Sequence, residues 1–91
     1  MQQQSVFKAL ADPTRRQLLQ RLRKGSLSAG ELAETVDVTS ASVSHHLSIL
    51  QQADLVRVKR DGQRRIYSVN TTVFEDVAAM MYDLFGNNEK L

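Results

Sequence analysis

The fold is decided by residues 28–62, which read SAGELAETVDVTSASVSHHLSILQQADLVRVKRDG. The stretch opens on Ser28 and Glu31, whose spacing is that of a capping box, in which each side chain satisfies the other residue's backbone N–H. A short helix of about eight residues follows, and Thr39 offers a cap for a second helix that extends to Ala53. We therefore predict two helices separated by a turn of about three or four residues.

The end of the same stretch changes from helical to alternating periodicity. Residues 56–59 alternate apolar and basic side chains, and a second apolar run covers residues 66–69. Asp61-Gly62 lies between the runs and tolerates the positive φ of a tight turn, so we predict a β-hairpin with its tip there. Residues 55–70 contain five Lys or Arg and one acid, which makes this hairpin basic.

Helices are also predicted on both sides of this stretch. Residues 5–10 form a short one, and a longer one begins with the cap Asp12 and Pro13 and ends at Gly25. Residues 72–75 (TVFE) predict a capping box for a last helix that extends to about Phe85, and residues 87–91 are expected to fray. The fold class is thus mainly α with a small β-hairpin, a winged helix-turn-helix of order α-α-α-α-β-β-α in one domain, residues 1–91.

Composition excludes several classes of function. The chain has 91 residues, enough for one domain with a thin core. It contains no cysteine, which excludes disulfides, thiolate metal ligands and thiol nucleophiles. The sequence has neither a secretory leader pattern nor a long apolar run, so we expect a cytoplasmic protein that does not insert into membranes.

The helix after Thr39 is the candidate for DNA recognition. Its apolar residues Val43, Leu47 and Leu50 share one face, which leaves small polar side chains and a histidine on the other. Small hydroxyl residues let a helix approach base edges closely, and the basic hairpin suits phosphates or the minor groove. A solvated polar face and a merely solubilising hairpin are the alternatives. The predicted DNA-binding residues are Thr39, Ser40, Ala41, Ser42, Ser44, His45 and Ser48 on the helix, with Lys59, Arg60, Gln63 and Arg64 on the hairpin.

The two adjacent histidines do not predict a metal site or an active site. His45 and His46 differ by about 100° around a helix, so they cannot readily bind one ion. His46 is expected to be a partly buried, hydrogen-bonded residue on the flank of the core. Ser44 precedes His45, but no oxyanion loop or orienting carboxylate accompanies them, so we expect neither an enzyme nor a cofactor.

The last helix carries a broader apolar stripe than one thin domain needs. Together with the first helix it predicts a two-fold interface in a homodimer, with residues 5–24 and 72–86 as dimerisation helices. The alternative is packing within a single chain. The predicted interface residues are Val6, Phe7, Leu10, Val73, Phe74, Val77, Met80, Met81 and Leu84.

Three segments resemble the ArsR/SmtB family of bacterial repressors, over essentially the whole chain. They are residues 7–16 (FKALADPTRR), residues 39–47 (TSASVSHHL), and residues 55–62 (LVRVKRDG) with 66–68 (IYS). The resemblance implies a dimer that binds an inverted repeat in double-stranded operator DNA and blocks transcription, often of its own operon.

The chain departs from the metal-sensing members of that family. Ser28-Ala29-Gly30 stands where those members have a cysteine pair, and the last helix has only Glu75, Asp76 and Asp83 instead of histidine ligands. Residues 70–74 (NTTVF) are similar to the metal-independent, SdpR-type autorepressors. We therefore expect no metal, and a regulatory protein partner is one way to release the DNA.

Two other functions compete with this interpretation. One is a winged-helix module that binds a protein without specific DNA binding, which the polar face disfavours because protein contacts usually use buried aromatic anchors. The other is direct metal sensing through carboxylates.

Overall fold

The computed structural model of the chain describes residues 3–86, a range that leaves the predicted fraying of residues 87–91 outside it. The elements in chain order are α1 Gln3–Leu10, α2 Pro13–Leu22, β1 Leu27–Ser28, α3 Ala29–Ala33, α4 Ser40–Gln52, β2 Val56–Asp61, β3 Arg64–Val69 and α5 Thr71–Met81. One π-helical turn, Tyr82–Gly86, continues α5. The predicted class, mainly α with a basic hairpin, is confirmed.

The N-termini of α2, α3 and α4 are capped as predicted. The Asp12 carboxylate accepts hydrogen bonds from the backbone N–H groups of Thr14 and Arg15, at 2.8 and 3.1 Å. Ser28 and Glu31 form the reciprocal capping box, and the Thr39 hydroxyl accepts from the Ser42 N–H. Each helix therefore begins where a side chain satisfies its free donors.

Two of these caps are carboxylates whose ionised form the fold stabilises. The hydrogen bond from the backbone N–H of Arg15 lowers the pKa of Asp12. The hydrogen bond from the backbone N–H of Ser28 lowers the pKa of Glu31. A carboxyl whose pKa is lower in the folded state stabilises the protein above its unfolded-state pKa, and this contribution is lost as the pH falls. Both caps thus favour the fold near neutral pH.

The start of α5 was wrongly predicted. Its cap position is Asn70, one residue before Thr71, and the capping box expected at residues 72–75 is not formed. The Asn70 side chain makes no cap hydrogen bond. Its amide instead donates to the Asp54 carbonyl at 2.9 Å and ties the end of β3 to the corner after α4. The Asn70 side chain thus makes a tertiary hydrogen bond to Asp54 instead of a local cap on α5.

Other helix bounds also differ from the expectation. α1 begins at Gln3, two residues earlier than predicted, and α2 ends at Leu22, before the predicted end at Gly25. The five-residue α3 is shorter than predicted, because Glu34 and Thr35 donate to carbonyls three residues back and turn the chain out of the helix. The α-helical part of α5 ends at Met81, and the π turn carries the helical path to Gly86.

The sheet has three strands in the order β1-β3-β2, all antiparallel. The strand β1 was not predicted, since two residues are too few to show alternation. The hairpin turn lies one residue later than predicted, because Asp61 pairs with Arg64 and leaves Gly62 and Gln63 at the tip. Gly62 has φ +65° at the first turn position, the arrangement of a type II′ turn, which glycine favours.

The core lies between α4 and the other elements. The predicted core residues Val43, Leu47 and Leu50 are essentially inaccessible to solvent. Side chains from the remaining helices and strands close around them, among them Leu18, Leu32, Leu55 and Tyr67. The burial of this one face fixes which face of α4 remains exposed.

Two residues of the predicted dimer interface belong to this core instead. Val6 is 0% exposed and Val73 is 7% exposed within the single chain. Neither presents a surface to a second protomer, so their assignment to the interface is corrected. The physical reason is that the apolar stripes of α1 and α5 are wide enough to serve the chain's own core with one edge.

Arg15 joins three helices through its guanidinium group. Nε and Nη2 donate to the carbonyls of Ala9 and Lys8 at 2.7 and 3.0 Å, which satisfies the carboxyl end of α1. Nη1 lies 3.2 Å from His46 Nδ1 on α4. Because arginine only donates, Nδ1 of His46 is the acceptor in this contact. The prediction of a partly buried, hydrogen-bonded His46 is confirmed.

We predict that Arg15→Ala lowers the free energy of unfolding by about 1 to 3 kcal/mol, because three hydrogen bonds that join α1, α2 and α4 are lost. Urea unfolding at one fixed protein concentration measures this. Arg21→Ala is the matched control, since Arg21 is an exposed residue of the same helix. Equal midpoints for the two variants contradict the prediction.

Candidate nucleic-acid interface

The face of α4 opposite the core is polar and open to solvent. Ala41, Ser44, His45 and Ser48 are exposed, as are Thr39 and Ser40 at its beginning, while Ser42 is half-buried. The Thr39 hydroxyl caps the helix through the Ser42 N–H, so its oxygen already has a partner. The predicted helical residues therefore share one exposed face, with Ser42 at its edge.

The beginning of α4 is electropositive. The helix has 13 residues and no acidic side chain in its first turn. The aligned peptide dipoles and free N–H groups at a helix N-terminus favour an anion such as a phosphate. This end of α4 therefore presents donors and positive potential beside its exposed hydroxyl groups.

The β2–β3 hairpin, residues 56–69, which we call the wing, has an exposed and cationic tip. Lys59, Arg60 and Gln63 are solvent-exposed, as predicted for residues that contact DNA. Arg60 lies directly opposite Arg65 in the ladder, where like charges destabilise an isolated hairpin. A bound anion relieves this repulsion, so the arginine pair favours contact with phosphates.

Arg65 was missed as a candidate site residue. Placing the turn at Asp61-Gly62 pairs Arg60 with Gln63, whereas the observed turn pairs it with Arg65. The signal that could have found Arg65 is the position of Gly62, since a type II′ turn places glycine first.

Arg64 differs from the other predicted wing residues because it is held by an acid. Its Nη2 donates to Glu31 Oε1 at 3.1 Å, and the two side chains are 57% and 49% exposed. The same Glu31 oxygen accepts from the Ser28 N–H at 2.8 Å. Glu31 thus connects the start of α3 to the wing and neutralises the charge of Arg64.

The described residues show no group of three or more His, Asp or Glu side chains that could hold a metal ion. None of the helices in residues 3–86 is long and apolar enough to span a membrane.

Large apolar side chains are exposed to solvent on α5, on the π turn that follows it and on α1. Along α5 and the π turn the exposed fraction rises from 40% at Met81 to 63% at Leu84 and 72% at Phe85. Phe7 on α1 is 42% exposed. The other predicted interface residues are half-buried: Leu10, Phe74, Val77 and Met80.

The polar helix after a turn, its capped partner helix and the adjacent basic hairpin define a winged helix-turn-helix protein. A family model described as a helix-turn-helix domain matches residues 10–59. The transcriptional repressor SdpR of Bacillus subtilis (strain 168) is 42% identical over 85 residues, which cover 93% of this chain and 94% of the relative. The chain belongs to the ArsR/SmtB family of DNA-binding transcriptional repressors.

Solved structures agree with this assignment. The crystal structure of an ArsR family transcriptional regulator superimposes with a TM-score of 0.83 at 32% identity, covering 91% of this chain and 86% of that one. NolR from Sinorhizobium fredii gives a TM-score of 0.73 at 28% identity, over 92% of this chain and 84% of that one.

We predict that Glu31→Gln strengthens binding to duplex DNA by about two- to fivefold, because glutamine retains the capping bond but releases Arg64 to a phosphate. Fluorescence anisotropy over a range of salt concentrations measures this, and the salt dependence should steepen by up to about 0.9 in log–log slope.

Glu34→Gln is the matched control, since it removes an exposed carboxylate from the end of the same helix without a described ion pair. Equal gains for both variants would show that only overall charge matters. Weaker binding by Glu31→Gln would show that the ion pair positions the wing for DNA.

Proposed function

We propose that the chain forms a homodimer that binds an inverted repeat in double-stranded operator DNA and represses transcription, including that of its own operon. The observation that carries this proposal is the exposed polar face of α4 beside a wing in which Arg60 and Arg65 face each other.

The helix α4 is suited to the major groove. The groove of B-DNA is about 12 Å wide and admits an α-helix. The exposed Ala41, Ser44 and Ser48 are small, so the helix axis can approach the base edges closely. His45 is the largest side chain among them and can donate to a guanine or a phosphate oxygen. We assign base discrimination chiefly to His45.

The wing is suited to the DNA backbone. Lys59, Arg60 and Arg65 are exposed cations on a two-stranded ribbon, at positions where phosphate contact neutralises repulsion between them. Such contacts contribute affinity and orientation but carry little sequence information. The wing and α4 therefore have separable roles.

A second protomer is the proposed cover of the apolar surface of Phe7, Met81, Leu84 and Phe85. These four large apolar side chains are exposed, and exposed apolar surface of this kind commonly marks an interaction site. A two-fold axis through α1 and α5 would place two copies of α4 about one helical turn of DNA apart, as dimeric helix-turn-helix proteins require.

The regulation we propose is independent of metal and takes place in the cytoplasm, where a bacterial operator lies. The sequence has no thiolate to offer zinc or nickel. A regulatory protein that sequesters the dimer is one route to release of the DNA.

The proposed roles predict different outcomes for two substitutions. His45→Ala should reduce discrimination between operator and scrambled DNA by about 1 to 3 kcal/mol, because a base contact is lost. Arg60→Ala should weaken binding to both DNAs alike and lower the salt slope by about 0.9, because one phosphate contact is lost.

Anisotropy titrations with DNA from upstream of the chain's own gene and with a scrambled duplex measure both effects. Equal affinity of the unsubstituted protein for the two duplexes at physiological salt would contradict sequence-specific repression and favour a protein-binding module.

The dimer predicts that Leu84→Glu yields monomers and weakens operator binding by at least about tenfold, because a charge is placed in the interface and one half-site is lost. Sedimentation velocity measures the mass. Glu75→Ala, on an exposed position of the same helix, is the control that should remain dimeric. If the Leu84→Glu protein remained dimeric, the interface would not include Leu84 and would lie elsewhere on the chain.

A further inference from the structure

An apolar groove of about 400 Å³ lies between α2 and the junction of β3 with α5. We call it the α2–α5 groove. Its apolar walls come from four elements through Leu10, Leu19, Val69 and Phe74. Arg16 of α2 and Arg23, which follows the end of α2, border the groove, and Gln20 and Thr71 complete its lining. Its volume falls within the usual range for small-molecule sites.

The charges at the border of the groove are uncompensated. Arg16 and Arg23 are seven residues apart, two helical turns, so they lie on the same side of α2 about 10 Å apart along its axis. Among residues 3–86 neither guanidinium forms an ion pair with a carboxylate. Arg16 Nη1 donates to the Leu10 carbonyl at 2.9 Å, which leaves its other N–H groups available.

We propose that the α2–α5 groove binds a small organic acid, with an apolar body against Leu19, Val69 and Phe74 and a carboxylate on Arg16 or Arg23. The apolar walls favour a body that is itself apolar, because binding removes both surfaces from water. The guanidinium groups select a planar anion, since two of their N–H groups match the two oxygens of a carboxylate.

The position of the groove connects such a ligand to DNA binding, a consequence that rests on the proposed function. Leu19 lies on α2, the helix whose Arg15 holds His46 of the recognition helix. Val69 ends the second strand of the wing, and Phe74 lies on α5. A ligand between these walls changes the position of α5 relative to α2, and therefore the spacing of the two recognition helices in the dimer. We expect lower operator affinity when the groove is occupied.

A second copy of the chain is the competing occupant. The most exposed apolar residues of the dimer surface, Leu84 and Phe85, are about ten residues and 15 Å along the helix from Phe74. Leu10 and Phe74 were also predicted as interface residues, but an interface centred on Leu84 and Phe85 leaves the beginning of α5 accessible. The cationic border of the groove also favours an anion over an apolar helix.

Titration of the full chain with 4-phenylbutyrate, followed by backbone amide chemical shifts, tests the site without DNA. We expect saturable shifts at the amides of Leu19, Gln20, Val69 and Phe74. The double variant Arg16→Gln/Arg23→Gln should bind about tenfold more weakly, because a charge-assisted hydrogen bond is lost. Arg21→Gln, an exposed arginine of α2 outside the groove, should bind as the unsubstituted protein does.

The neutral analogue 4-phenyl-1-butanol should also bind about tenfold more weakly, and acetate should give no saturable shift. Absence of saturable shifts, or equal affinity of the double variant and Arg21→Gln, would overturn the site. Groove amides that respond to protein dilution instead of 4-phenylbutyrate would assign the groove to a second copy and overturn it as well.

The regulatory consequence is measured separately, by operator binding with and without saturating 4-phenylbutyrate. A several-fold loss of affinity that the double variant does not show supports it, and an unchanged affinity overturns it. Because the shift titration contains no DNA, a chain that failed to bind any operator would contradict the proposed function and leave the result for the groove intact.

Discussion

The burial of one face of α4 is the constraint on which the rest of the structure depends. Val43, Leu47 and Leu50 are essentially inaccessible to solvent, and the buried side chains of the other helices and strands pack around them in a thin core. Their burial turns Ser44, His45 and Ser48 to solvent by helical geometry alone. Stability therefore depends on one face of this helix and the proposed DNA recognition on the opposite face, and the core residues orient the side chains that we propose contact DNA.

Electrostatics organises the surface around that helix. The wing keeps Arg60 and Arg65 directly opposite each other, at a cost to the isolated hairpin that an anion offsets. The charge of Arg64 is instead neutralised by Glu31, which also caps α3. The charges within a few residues of the wing tip thus have distinct roles, and the distinction depends on partners remote in sequence.

Local signals predicted the element boundaries well wherever a side chain acts on its own backbone. Asp12, Ser28 and Thr39 cap the helices that follow them, as expected. The same type of signal failed at residues 72–75, because Asn70 starts the helix while its amide holds the Asp54 carbonyl. The hairpin was found, but its turn was misplaced by one residue, since Asp61 joins the ladder opposite Arg64.

The sequence by itself determined the class of fold, the polar face of α4 and the basic character of the wing, because periodicity, caps and charge are local properties of the chain. Only the tertiary structure decided that Val6 and Val73 belong to the core, that Arg15 holds His46, and that Glu31 holds Arg64. These features join residues distant in sequence, and their existence depends on how the packed elements are oriented. No local pattern encodes that orientation, since it is set by the simultaneous packing of all the apolar faces.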